Sequence, residues 1–178
     1  SIPPFVASFL TLLLGLFVYL KNRKENQNIT YLFLCISIFM WLFCASILFP
    51  SPKNEKMINL WARMVFVGVT FIPITFYHFT VSLLKISNQK NIIRGAYLVG
   101  LFFVISLFTT NLYINGAYEY FWGYYPKGGI VLSLDVLSFL LFYGYSLWLL
   151  YKKMKEKEIS LQEKIKMRYA LVAFFVAA

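Results

Sequence analysis

The chain has 178 residues, of which 60% are hydrophobic, 20% aromatic and only 13% charged, and its mean hydropathy is +0.69. A soluble domain is nearer half apolar and a quarter charged, so the composition excludes one and predicts an all-α, polytopic transmembrane helix bundle. The formal charge of +10 does not point to nucleic acid, because the basic residues cluster in short loops between apolar runs rather than along one face.

The first predicted span runs from about Pro4 to Leu20, with Pro3 and Pro4 at its entrance, where helices tolerate proline. Lys21, Arg23 and Lys24 follow the apolar run, whereas a signal peptide carries its charge before it. A second span, from about Thr30 to Phe49, stops at Pro50 and Pro52. Its two cysteines, Cys35 and Cys44, fall on roughly opposite helix faces, which predicts packing residues rather than a disulfide or a metal pair.

The third span, Met57 to Leu84 with Asn54 as its cap, is the stretch around which the others are expected to pack. At ~1.5 Å per residue it would be about 40 Å long, against a hydrocarbon core of about 30 Å. It must therefore tilt, kink or project, and Pro73 supplies a kink. A fourth span covers Ile92 to Phe108, where Gly95 and Gly100 would permit close helix contact. The stretch Thr109–Gly129 has turn chemistry at Asn115–Gly116 and at Pro126–Gly129, too many breakers for a span. Its aromatic side chains, Tyr118, Tyr120, Phe121, Trp122, Tyr124 and Tyr125, are suited either to an interfacial belt or to a ligand-contacting lid packed back over the bundle mouth.

The fifth span, Ile130 to Tyr151, is expected to continue as a helix into the amphipathic, lysine-rich segment that follows. The last apolar run, Tyr169 to Ala178, would reach only about 15 Å. The expectation is therefore one membrane-embedded domain over residues 1–178, with five complete spans and a truncated sixth, cut from a longer protein. Thirteen basic residues lie in the loops on one side and three, Lys53, Lys56 and Lys127, on the other. The positive-inside rule then places the N-terminus outside.

Polar groups carried on a span are costly and tend to mark function. Arg63, Thr75, His78, Ser82 and Asp135 are the candidates for a polar sensing network. Arg63 has two readings: it snorkels to the outer headgroups, or it pairs with Asp135, which lies at a similar distance from the outer start of its own span. Asp135, flanked by Ser133 and Ser138, otherwise faces water at the mouth. His78 is either a neutral packing histidine bonded to a neighbouring span or a pH- or ligand-sensing group. Thr75 and Ser82 share its helix face and could satisfy it.

Catalytic chemistry is absent from the pattern. No G-x-x-x-x-G-K-[ST] loop is present, a lone span aspartate cannot form a carboxylate dyad, and one histidine makes no metal cluster. No cofactor or metal is called for, and the bilayer is the first partner.

The stretches ASFLTLLLGLFVYLKNRK, WARMVFVGVTFIPITFYHFTVSLL, WGYYPKGG and KIKMRYALV resemble the N-terminal seven-helix membrane region that precedes bacterial sensor histidine kinases and related signalling proteins. The resemblance covers essentially the whole chain. It implies a non-enzymatic input module in the bacterial inner membrane, sensing an outer or membrane-dissolved small molecule or peptide, commonly as a homodimer. Two other classes stand beside it. A transporter or permease fragment would favour interrupted helices in two repeats, and a ligand-free membrane scaffold is the third.

Overall fold

A computed structural model describes residues 1–50, 54–121, 123–156 and 161–177. Among them are six α-helices, a short 3-10 helix (Ser87–Gln89) and one hairpin: α1 (Ile2–Lys21), α2 (Asn26–Leu48), α3 (Glu55–Leu83), α4 (Lys90–Thr109), β1 (Ile114–Tyr120), β2 (Gly123–Gly128), α5 (Ile130–Met154) and α6 (Leu161–Ala177). Five of them, α1 to α5, are long and apolar enough to cross a membrane. The fold is thus the multi-pass helix bundle that the composition predicts. Leu10, Phe17, Leu98, Phe102, Leu140 and Leu141 are exposed, as large apolar side chains of lipid-facing helices are.

The third span is indeed the centre. α3 packs against α2, α4, α5 and both strands, while α6 packs on α5. It begins where Asn54 accepts hydrogen bonds from the backbone N–H of Lys56 (3.1 Å) and Met57 (3.3 Å), satisfying two of the orphan donors of a helix start. Its 29 residues span about 43 Å, and Pro73 sits buried within the continuous helix, leaving the Val69 carbonyl without its helical donor. It ends in a Schellman-type turn, with Lys85 at φ 54° and Ile86 N–H donating to Val81 O at 3.1 Å.

Closest approach occurs where α2 crosses α3. A Cβ at Gly68 would collide with the backbone of Trp41 and Ser37, so only glycine fits there. Of the two glycines expected to bring α4 close, Gly100 meets Ile74 and Phe71, whereas Gly95 faces open space. Cys35 and Cys44 are both free and buried, Cys35 against Gly15 of α1 and Cys44 in the apolar core described next.

Two apolar cores stack along α3. One, at the hairpin end, joins Cys44, Leu48, Ile58, Val65, Leu107 and Ile114. The other, at the lysine-rich end, joins Leu34, Phe76, Tyr77, Val81, Leu150 and Met167.

Two expectations are corrected here. The stretch after α4 is a β-hairpin, not an irregular loop. β1 and β2 pair antiparallel from Ile114↔Gly128 to Tyr120↔Gly123. Asn115–Gly116 does not make the turn, because it lies within β1 at a bulge, with Gly116 at φ 86°. Gly123, at φ 137°, lets β2 approach the Phe49 carbonyl so closely that a Cβ would not fit. The fifth helix also runs only three residues into the lysine-rich segment, through Lys152, Lys153 and Met154. It closes at Met154, capped by Lys155, and a separate helix begins at Leu161, the positions 157–160 lying outside the described residues.

Candidate functional site

The buried polar groups collect under the hairpin. Arg63 is 9% exposed on α3, and its guanidinium is wholly engaged. Nη1 donates to the carbonyl of Leu107 and to that of Thr110 (3.0 Å), and Nη2 to Asn111 Oδ1 (2.8 Å) and Ile114 O (3.5 Å). Nε donates to Asn59 Oδ1 at 3.2 Å, one turn away on α3. These acceptors are the C-terminal end of α4 and the start of the hairpin. The last carbonyls of a helix have no intrahelical donor and carry the negative end of its dipole, so a buried cation there satisfies both.

Asp135 is 4% exposed and holds a second, separate group. Its Oδ2 accepts from the Tyr113 hydroxyl and from Thr70 Oγ1 (2.8 Å), and the two hydroxyls are themselves 3.1 Å apart. Tyr113 follows α4 and is fully buried. Its burial first, and then the Asp135 charge, push the phenol pKa upward, so it stays a donor. One carboxylate oxygen thus ties α3, α5 and the approach to the hairpin together.

Both readings of Arg63, and both of Asp135, are therefore corrected. Arg63 does not snorkel, Asp135 does not face water, and no ion pair joins them. The assumption of equal depth fails because α3 projects. Asp135 lies about 8 Å from the start of α5, while its partner Thr70 lies about 22 Å from the start of α3. Arg63 sits two turns above Thr70, beside the hairpin.

His78 forms a third group. Its Nδ1 lies 3.1 Å from the Tyr97 hydroxyl of α4, with the rings edge to face at 83°. His78 is thus bonded to a neighbouring span. Thr75 does not satisfy it. The Thr75 hydroxyl donates to Phe71 O (2.8 Å) and Ile72 O (3.1 Å) of its own helix, and Ser82 makes no hydrogen bond to His78. The five candidate residues are thus not one network.

The hairpin is anchored by residues the aromatic pattern did not single out. Tyr113 and Ile114 are fully buried, whereas Tyr118, Tyr120 and Tyr125 are about half exposed and Phe121 fully so. Tyr124 is half-buried, and Trp122 lies outside the described residues. The hairpin base packs on the bundle as a lid would, and Gly123 and Tyr124 touch it too, while the rings of Tyr118, Tyr120, Phe121 and Tyr125 stay half or fully exposed. Between the base and the first turns of α3 is a cleft of about 500 Å³, lined by Glu55, Ile58, Asn59, Ala117, Glu119 and Tyr124 among others. The signal for the anchor was Leu112–Ile114, an apolar triplet inside an Asn- and Gly-rich stretch.

Residues 3–177 match the family described as the N-terminal 7TM region of histidine kinase. No curated protein and no solved structure matches the chain.

Proposed function

Because this chain belongs to the family of N-terminal 7TM regions of histidine kinases, we propose that it is the input module of a two-component sensor kinase. It sits in the bacterial inner membrane with its N-terminus and hairpin outside, receives an outer or membrane-dissolved stimulus, and passes it inward by helix rearrangement. Family membership makes this region a non-catalytic membrane input; the kinase output belongs to the full-length protein.

One observation carries the transmission. α3 runs from the hairpin base, where Arg63 bonds Ile114 and Thr70 bonds the neighbouring Tyr113, into the lysine-rich core, which it enters with Phe76, Tyr77 and Val81. An outer ligand would meet the cleft beside the hairpin first. There Asn59 lines the cleft and also holds Arg63 Nε, so a ligand that takes the Asn59 amide competes with the clamp on α4. A ligand that binds the two clamp states unequally shifts their populations, which is all that signalling requires.

The test is autophosphorylation of the full-length protein in membrane vesicles. Asn59→Ala and Arg63→Lys should move the basal kinase level several-fold. Unchanged kinase activity, in variants that remain folded, would overturn the transmission reading. For orientation, a cysteine at Asn54 should react with an impermeant reagent from outside and one at Asn88 should not; the reverse pattern overturns the topology.

A further inference from the structure

Two clefts meet at His78. One, of about 480 Å³, runs along the lipid side of α2 and α3 between Phe33, Ile36, Met40, Val67 and Phe71, with His78 and Tyr97 at its end. Its hydroxyls offer little to a polar ligand, since Ser37 donates to Phe33 O (3.0 Å) and Thr75 to Phe71 O (2.8 Å). The other, of about 460 Å³, starts at the same histidine, passes Ser82 and opens among Lys24, Lys85 and Lys90. Glu25 is the one carboxylate on its wall, against those three ammonium groups.

The dimensions match one leaflet. From Val67 to His78 the helix rises about 16 Å, half of a ~30 Å hydrocarbon core. Two further turns reach Lys85, in the headgroup layer. The three lysines come from different elements: Lys24 follows α1, Lys85 occupies the left-handed turn after α3, and Lys90 opens α4. Basic pockets between spans, continuous with an apolar groove, have the chemistry of an acidic phospholipid.

We propose that this composite groove binds one anionic phospholipid, its phosphate among Lys24, Lys85 and Lys90 and one acyl chain along Phe33, Met40 and Phe71 past His78. Bound there, the lipid bridges the α1–α2 connection, the end of α3 and the start of α4. The site requires only that the chain spans a bilayer, and it stands whichever way the chain faces and whatever output it drives.

The experiment is native mass spectrometry of the purified protein titrated with phosphatidylglycerol in a zwitterionic background. K24Q/K85Q/K90Q should lower retention of the lipid by about tenfold or more, while the charge-matched K152Q/K153Q/K155Q should leave it near wild type. Equal loss in both triples would mean general surface attraction and overturn the site. The groove is tested without mutation, by comparing long-chain with dihexanoyl phosphatidylglycerol on the wild-type protein. Weaker retention of the short-chain lipid supports the proposal. Equal retention, or displacement by inorganic phosphate, would leave an anion site without a lipid and overturn it. V67W, which fills the groove and keeps every lysine, should lose the long-chain lipid while its melting temperature holds.

Discussion

The two ends of the bundle solve the same problem differently. At the hairpin end, charged side chains are buried and hydrogen-bonded: Arg63 on the carbonyls closing α4, Asp135 through one carboxylate oxygen on two hydroxyls. At the lysine-rich end the charges stay in water, and the core beneath them is apolar and aromatic. There Tyr77 donates to Gln89 Oε1 at 2.5 Å at the edge of that core. Among the described residues, Thr80 Oγ1 is the buried side-chain atom without a partner, and it lies on this half of α3. The hairpin end therefore has a defined hydrogen-bonded geometry that is expensive to disturb, while the other end is held mainly by apolar and aromatic packing.

The sharpest way to break the contrast is Arg63→Ala. It would strip the donor from three backbone carbonyls and leave Asn59 and Asn111 without their shared partner. Each buried group left unsatisfied costs ~1–3 kcal/mol, so a loss of about 3 kcal/mol or more is expected in thermal unfolding of the detergent-solubilised protein. Arg63→Lys should recover only part of it, because an ammonium cannot reach all these acceptors. A near-wild-type Arg63→Ala would mean that the clamp is incidental.

A middle-sized effect separates the two polar groups. Asp135→Asn should cost about 1–2 kcal/mol by weakening two charge-assisted hydrogen bonds. In double-mutant cycles it should couple to Thr70→Val by about 1 kcal/mol, yet add to Arg63→Ala within ~0.5 kcal/mol, as sites without shared partners do. Strong coupling between Arg63 and Asp135 would reunite what the structure keeps apart.

The smallest effect has the opposite sign. Thr80→Val replaces a hydroxyl that has no hydrogen-bond partner with a methyl of similar shape. Stability should stay level or rise by about 1 kcal/mol. A clear loss would show that the hydroxyl is satisfied after all and would weaken the contrast between the two ends.

Much of this was legible in the amino-acid order. Apolar run length set the number of spans, Asn54 marked the start of α3, and the polar stripe on one long segment identified the helix at the centre. These follow from local rules: hydropathy against bilayer thickness, and caps against orphan donors. A bond from His78 to a neighbouring span could be expected, because a polar group carried on a span needs a partner. The partners of Arg63 and Asp135 could not be read. Their choice depended on how far α3 projects beyond α5, a distance that no residue encodes by itself, and on where α4 happens to end. The hairpin was hidden for a related reason. Its glycines and asparagine read as turns until pairing with β2 places Gly116 in a bulge, and Tyr113 and Ile114 are anchors only because the bundle offers them Thr70, Asp135 and Arg63. Sequence determined which segments enter the membrane, since that is decided residue by residue against lipid. Tertiary structure decided which buried charge meets which acceptor, since that depends on the relative heights of helices packed side by side.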